Sequence, residues 1–372
     1  MTTHTGSLPR PADLVPLLTT AGGEKDARAR VCEAVREAVH RQVEAGIDIV
    51  SDGEMGKPGF VQYVAERLTG FQGEVASRPF APQDLLDYPE IQQRLFVTSS
   101  GESQPRPRTP TNDGPIAYVG QDALRADLEN LKSALEAEQA VGAFLPAVSP
   151  GCVAMLLGTV SYPSRRDFLQ ALAAALRIEY RAIVDAGFVL QVDCPDLALG
   201  RHEEFANKSL AEFRANMDLH IEALNAALDG IDPEQIRVHV CWGNYPGPHH
   251  RDVPLRDIID IVYRINANGL SIEGANPRHQ HEWTVFEAYP LPGDKVLIPG
   301  VIDTCTNSIE HPEVVAQRIE RYANAVGRER VIAGTDCGFG TMAGRSAVVP
   351  GIAYAKLASL AAGARLASER LW

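Results

Sequence analysis

The feature that most restricts this chain is a junction that recurs along it. A helix-like stretch ends in a small residue and Gly, passes into an apolar run, and closes on polar residues. It reads EAGIDIVSDGE at 44–54, DAGFVLQVDCP at 185–195 and NANGLSIEGAN at 266–276. Gly ends a helix readily because it takes the left-handed conformation without a Cβ clash. The apolar run after it reads as a strand buried on both faces, the condition of a parallel sheet. Extended along the chain, the pattern gives eight strands: TTHTGSL (2–8), DIVSDGE (48–54), AFLPAVSPG (143–151), VLQVDCP (189–195), RVHVCWG (237–243), LSIEGAN (270–276), VLIPGVID (296–303) and VIAGTDCG (331–338). Helices are predicted between them. Val31, Val35, Val39 and Val43 recur in 26–45, and Val314, Val315, Ile319 and Tyr322 do so in 310–328, after a His-Pro opening that suits a first turn.

Eight strands alternating with helices predict an α/β chain of the (β/α)8, or TIM-barrel, type. Every strand ends in polar residues, and barrel active sites lie at the C-terminal strand ends. The alternative is a doubly wound open sheet, but no Gly-rich dinucleotide turn follows the first strand. A single barrel over 1–372 suits the length, since such barrels exceed ~250 residues as one unit. The spacing is regular except between the second and third strands. There, residues 71–140 are rich in Pro, Gln and Ser and hold the short apolar piece PIAYVG. They read as an inserted excursion: either a hairpin with flanking helices, lying over the barrel mouth or in a homo-oligomer contact, or equally a mobile loop.

Charge and cysteine usage narrow the partners. With 35 Lys+Arg against 48 Asp+Glu, the formal net charge is −13, which disfavours nucleic acid and anionic membrane surfaces. No apolar run approaches the ~20 residues of a membrane span, and the N-terminus lacks the features of a secretory signal. The 6 cysteines lie far apart, as expected of reduced thiols in the cytoplasm.

The sharpest chemical signal is Val238-His239-Val240-Cys241. Side chains alternate along a strand, so His239 and Cys241 share a face opposite the valines. Glu273 ends the sixth strand and Cys337 the eighth. An imidazole, two thiolates and a carboxylate converging from strand ends suit zinc (Zn2+) better than magnesium or calcium.

The motifs also resemble a known family. TTHTGSLPRP, SDGE (51–54), QVDCP (191–195), HVC (239–241), SIE (271–273) and TDCG (335–338) are similar, in order, to those of the cobalamin-independent methionine synthase catalytic-domain family. The resemblance implies a (β/α)8 barrel in which His239, Cys241, Glu273 and Cys337 hold a catalytic zinc. It implies also that Ser7, Glu54 and Asp193 bind the amino-acid part of a thiol such as homocysteine. The expected reaction is alkyl transfer, in the first place methyl, from a donor to a small thiol, with the zinc-bound thiolate as nucleophile.

Two departures keep a second reaction open. The family's two-barrel members are about twice as long, and where they carry a proton-donating His this chain has GVIDTCTN with Cys305. NPRHQHEW (276–283) and IEHPE (309–313) look more like the short epoxyalkane:coenzyme M transferases, which open an epoxide with a zinc thiolate. Further from these stand a metal-free decarboxylase of the uroporphyrinogen type, with Arg10 and Arg278 its only evident carboxylate-binding arginines, and a non-catalytic thiol or metal binder.

The surrounding residues receive lesser roles. His4 and Ser7 are placed to take a carboxylate or sulfonate, and Glu54 and Asp193 to take an amine. Arg278, His279 and His281 are placed to meet an anion or to protonate a leaving oxygen. Met155 and Trp242 are expected to shape the pocket wall.

Overall fold

The computed structural model describes residues 1–19, 24–75, 82–96 and 109–372. It is an α/β fold around a curled parallel sheet. Strands are β1 (Ile49–Val50), β4 (Gly142–Val148), β5 (Val189–Asp193), β6 (Ile236–Val240), β7 (Gly269–Ile272), β8 (Val296–Ile302) and β9 (Gly334–Thr335), hydrogen-bonded in that order. The remaining two, β2 (Gly73–Val75) and β3 (Thr109–Thr111), form a separate antiparallel pair. Every residue of β6 is buried, as the valine-rich reading requires of a strand covered on both faces.

Two of the three junction glycines end helices in the left-handed conformation, Gly46 with φ 84° and Gly187 with φ 90°. The third, Gly269, lies instead inside β7. There a Cβ would sit 2.6 Å from that of Arg237, so the glycine serves close strand approach.

The expected first strand, 2–8, is not a continuous ladder. Only single parallel bridges form, Thr2 to Ala333 and Thr3 to Ile49, so this segment touches both edges of the sheet. Beyond Thr3 the backbone donors turn to other partners. Thr5 N–H donates to Thr335 Oγ1 (3.1 Å), Gly6 N–H to His4 Nδ1 (3.2 Å) and Leu8 N–H to the Gly53 carbonyl (3.0 Å).

The helical layer follows the apolar periodicity. In Glu24–Glu44, Val31, Val35 and Val39 are buried and Val43 packs at the edge. In Pro312–Val326 the buried face is Val315, Ile319 and Tyr322, and Val314 turns outward. Ser164 and Ser209 cap the long helices Arg165–Asp185 and Leu210–Leu228, the latter with a complete capping box to Glu212.

Within 71–140, the helix Gln121–Leu135 packs along Glu24–Glu44. The short helices Gln83–Asp87 and Pro89–Phe96 lie near the loops after β5 and β6, where Asp84 accepts from Tyr245 Oη (2.7 Å) and His249 N–H (2.9 Å). The Pro- and Ser-rich stretches at 76–81 and 97–108 lie outside the described residues. Among the described residues no helix is long and apolar enough to cross a membrane.

Candidate metal and substrate site

Strand β6 delivers the first two groups. His239 lies in the ladder opposite Asp193 on one side and Ser271 on the other, and Cys241 follows one residue past the strand end. Cys337 arrives two residues after β9. The donor atoms of His239, Cys241 and Cys337 all lie within 4.8 Å of one another, and the two sulfurs are 3.6 Å apart. Two thiolates on one tetrahedral zinc would stand ~3.8 Å apart, from Zn–S bonds of ~2.3 Å.

The electrostatics of the cluster suit a cation. Both ring nitrogens of His239 are buried without a hydrogen-bond partner, a rare state for a native imidazole. Cys241 is held well below the usual thiol range by the Cys337 S–H that donates to it, against the opposing effect of burial. Cys337 is pushed up as the donor. Gly243 N–H adds a second hydrogen bond to Cys241 Sγ at 3.2 Å. A nitrogen and two sulfurs this close form a soft donor set that excludes magnesium and calcium as natural occupants.

Glu273, the fourth expected ligand, stands beside this trio. Its Oε1 accepts from Trp242 N–H (2.9 Å) and its Oε2 from Asn276 Nδ2 (2.8 Å). Burial first, and then the Cys241 charge, push its carboxyl well up.

A residue that sequence reasoning did not single out holds this loop. Asp336 Oδ1 accepts from Gly274 and Ala275 N–H and its Oδ2 from Asn276 N–H, each at 2.8 Å. The signal was its place beside Cys337 in TDCG. Asn244 is a second such residue. Its Nδ2 donates to the Gly338 carbonyl (2.6 Å), and its Oδ1 accepts from Cys305 Sγ and Thr304 Oγ1, both at 3.2 Å. Burial pushes the Cys305 thiol up, so it stays protonated.

The expected substrate residues divide. Ser7, Glu54 and Asp193 are buried, and Asp193 lies opposite His239 in the ladder. A Cβ on Gly338 would fall 1.9 Å from Ser7 Oγ, and one on Gly6 would fall 3.0 Å from Glu54 Oε1. Glu54 is held at φ 56°, a strained setting for a non-glycine residue and one that gathers at functional sites. Asp193 is lifted to about 7, chiefly by burial, and nearby His239 opposes the shift.

His4 points elsewhere. Its Nε2 pairs with Gln42 Oε1 at 2.7 Å and its Nδ1 accepts Gly6 N–H, while burial lowers it to about 3. Both nitrogens of this neutral imidazole are therefore engaged within the protein. Arg278 is exposed, its side chain donating to the His250 carbonyl (3.4 Å), and His281 is exposed as well. His279 is buried against Trp242, with ring centroids 4.4 Å apart, and is held between Asp252 and Glu282. Met155 packs on the cluster of Leu85, Leu199 and Tyr245.

Comparison with known proteins bears on this arrangement. A family model described as the catalytic domain of cobalamin-independent synthase matches residues 1–78 and 121–357. The chain belongs to that family. Every site residue named above lies inside the matched segments except Leu85, and residues 79–120 fall outside them. A methionine synthase of Saccharolobus solfataricus is 23% identical, the alignment covering 100% of this chain and 95% of that protein. The 5-methyltetrahydropteroyltriglutamate–homocysteine methyltransferase of Photorhabdus laumondii is 25% identical over 91% of this chain and 40% of its own length. Among solved structures, a B12-independent methionine synthase from Shewanella sp. W3-18-1, in complex with selenomethionine, shares the fold. Its TM-score is 0.75 at 22% identity, with 100% of this chain and 98% of that one covered.

Proposed function

We propose that this family member transfers a methyl group to the thiol of a homocysteine-like amino acid, with zinc held by His239, Cys241 and Cys337. The observation that carries the reading is the buried trio itself. An imidazole whose ring nitrogens have no hydrogen-bond partner and two sulfurs 3.6 Å apart sit beside Asp193, and among the described residues neither Asp193 nor Glu54 forms an ion pair. Family relatives named for methionine synthesis and homocysteine methylation support the same reaction. Epoxide opening with coenzyme M has no comparable support. Its sulfonate would face the Glu54 and Asp193 carboxylates, whereas an amino acid presents them an ammonium.

Bound there, zinc would stabilise a coordinated substrate thiol as thiolate near neutral pH and keep it nucleophilic. The chain's own residues set up the rest. Glu273, tethered by the Trp242 backbone N–H and Asn276, would be the fourth residue available to hold the ion. Glu54 and Asp193 take the substrate amine, and an ammonium against Asp193 favours its ionised form. Ser7 supplies a hydroxyl donor to the substrate carboxylate. Asn244 orients the loop that carries it toward Gly338 and Cys305. The thiolate attacks the methyl carbon, the S–CH3 bond forms, and the electron pair of the broken bond leaves with the donor.

The single bridges from Thr2 and Thr3 to both sheet edges support a closed (β/α)8 barrel, with residues 71–140 inserted between its second and third strands, of which 79–120 lie outside the family match. The test is metal content and product. The purified chain should hold stoichiometric zinc and form methionine from homocysteine and a methyl donor, read by mass spectrometry. Cys337→Ala should lose both. Retention of zinc and of thiol methylation in that variant would overturn the proposal.

A further inference from the structure

The turn after β1 carries a second charge that the site as described does not use. Lys57 is 3% exposed, yet among the described residues no carboxylate lies within 4.0 Å of its Nζ. Its ammonium donates to the Pro146 carbonyl and stands 4.8 Å from the centre of the Tyr63 ring. A lysine has three N–H donors, and a buried one ordinarily satisfies them within the protein.

The backbone around Lys57 is fixed with unusual care. Arg10 Nη2 donates to the carbonyls of both Glu54 (2.9 Å) and Lys57 (2.8 Å), and Lys57 N–H closes the turn on the Glu54 carbonyl at 3.0 Å. The two side chains of this turn flank one landmark. Lys57 reaches the carbonyl of Pro146, while the position of a Cβ on Gly6 lies 2.7 Å from the Pro146 ring and 3.0 Å from Glu54 Oε1. Lys57 and Glu54 thus share a wall without forming an ion pair. The Glu54 carboxylate likewise has no ion-pair partner among the described residues. Asp193 and Asp52 both feel the lysine charge. Opposite charges that are buried, held close and left unpaired cost stability unless something fits between them.

We infer that Lys57 anchors the carboxylate of an α-amino-acid thiol while Glu54 and Asp193 take its amine. The inference rests on the amino-acid reading above and adds the residue that reads the acid end. The chemistry it selects is a zwitterion with an acid and an amine on one carbon. A thiol that lacks either group leaves one side of the pocket unpaired.

The experiment is calorimetric titration of the zinc-loaded protein with homocysteine and with 3-aminopropane-1-thiol, which is homocysteine without its carboxylate. Wild type should bind homocysteine about 10- to 100-fold more tightly, the worth of a hydrogen bond between charged groups. Lys57→Met should remove that preference by weakening homocysteine alone, and Lys57→Arg should restore part of it. In turnover the loss should fall on KM for homocysteine with kcat little changed. Equal affinity of wild type for the two thiols overturns the inference, and that measurement does not depend on any variant folding. An equal loss of both thiols in Lys57→Met also overturns it, since a purely structural lysine would act on both. If the preference and its loss are seen but no methionine forms with any donor, the anchor stands and the methyl-transfer reading falls. If methionine forms and Lys57→Met keeps the preference, the reverse holds.

Discussion

His279 gives a quantitative test of how the site is held. It is buried, its Nδ1 lies 2.7 Å from Glu282 Oε2, and its Nε2 lies 2.9 Å from Asp252 Oδ2. Burial alone would lower its pKa, but the hydrogen bonds to Asp252 and Glu282 outweigh that and hold it up at about 9. The folded state therefore binds this proton more tightly than the unfolded chain, where a histidine titrates near ~6.5. The resulting stability is fully present below about pH 6.5 and is lost as pH rises through about 9. A difference of roughly 2.5 units corresponds to about 3 kcal/mol. Urea unfolding of wild type and His279→Gln at pH 6 and pH 10, both zinc-loaded, cancels the titrating groups that do not touch this cluster. The stability gap between the two proteins should be about 3 kcal/mol wider at pH 6. A gap unchanged within about 0.5 kcal/mol would refute a charged imidazole between these carboxylates. The ring packs at a tilt on the indole of Trp242, the residue whose backbone N–H holds Glu273, so activity should fall over the same alkaline window.

Other substitutions probe other parts of the site. Glu54→Gly should relieve the left-handed strain at φ 56° and raise stability by about 1 kcal/mol. The same variant should bind amino-acid thiols poorly, so melting temperature and affinity should move in opposite directions. Asp336→Asn places an amide where the loop after β7 offers only N–H donors. It should cost about 1–3 kcal/mol in urea unfolding and lower kcat, with zinc content retained. Gly338→Ala would put a Cβ 1.9 Å from Ser7 Oγ. Displacing that hydroxyl should raise KM for homocysteine about 10-fold, measured by initial rates.

What the sequence disclosed follows the range of the interactions involved. His239 and Cys241 were legible because two residues of one strand must share a face. Cys337 was legible because its strand ends at the same rim. The expected first strand forms only single bridges because beyond Thr3 its N–H groups go to a threonine hydroxyl, a histidine ring and a distant carbonyl. His4 was placed among the substrate residues because its partner Gln42 lies 38 positions away on a helix. Arg278 sits past the end of β7, where no strand period fixes direction, and its side chain turns to solvent. Asp336 and Lys57 stood in quoted or adjacent motifs, yet their roles depend on backbone groups contributed by other strands. A residue that binds main chain leaves little trace in composition or spacing.

The division between matched and unmatched segments sharpens this point. The groups proposed for chemistry lie at the rim of the sheet and within 1–78 and 121–357, the segments the family model matches. Asp84 lies in the intervening segment and is wholly buried, yet it ties Tyr245 Oη and His249 N–H. Tyr245 stands one residue beyond Asn244, and Leu85 packs on Leu199, whose N–H donates to the Cys241 carbonyl at 3.1 Å. Residues outside the family model's match thus brace the loop next to Cys241. A rigid rim can keep the donor atoms in place while such a brace alters the wall beside them, because loop contacts change without disturbing strand register.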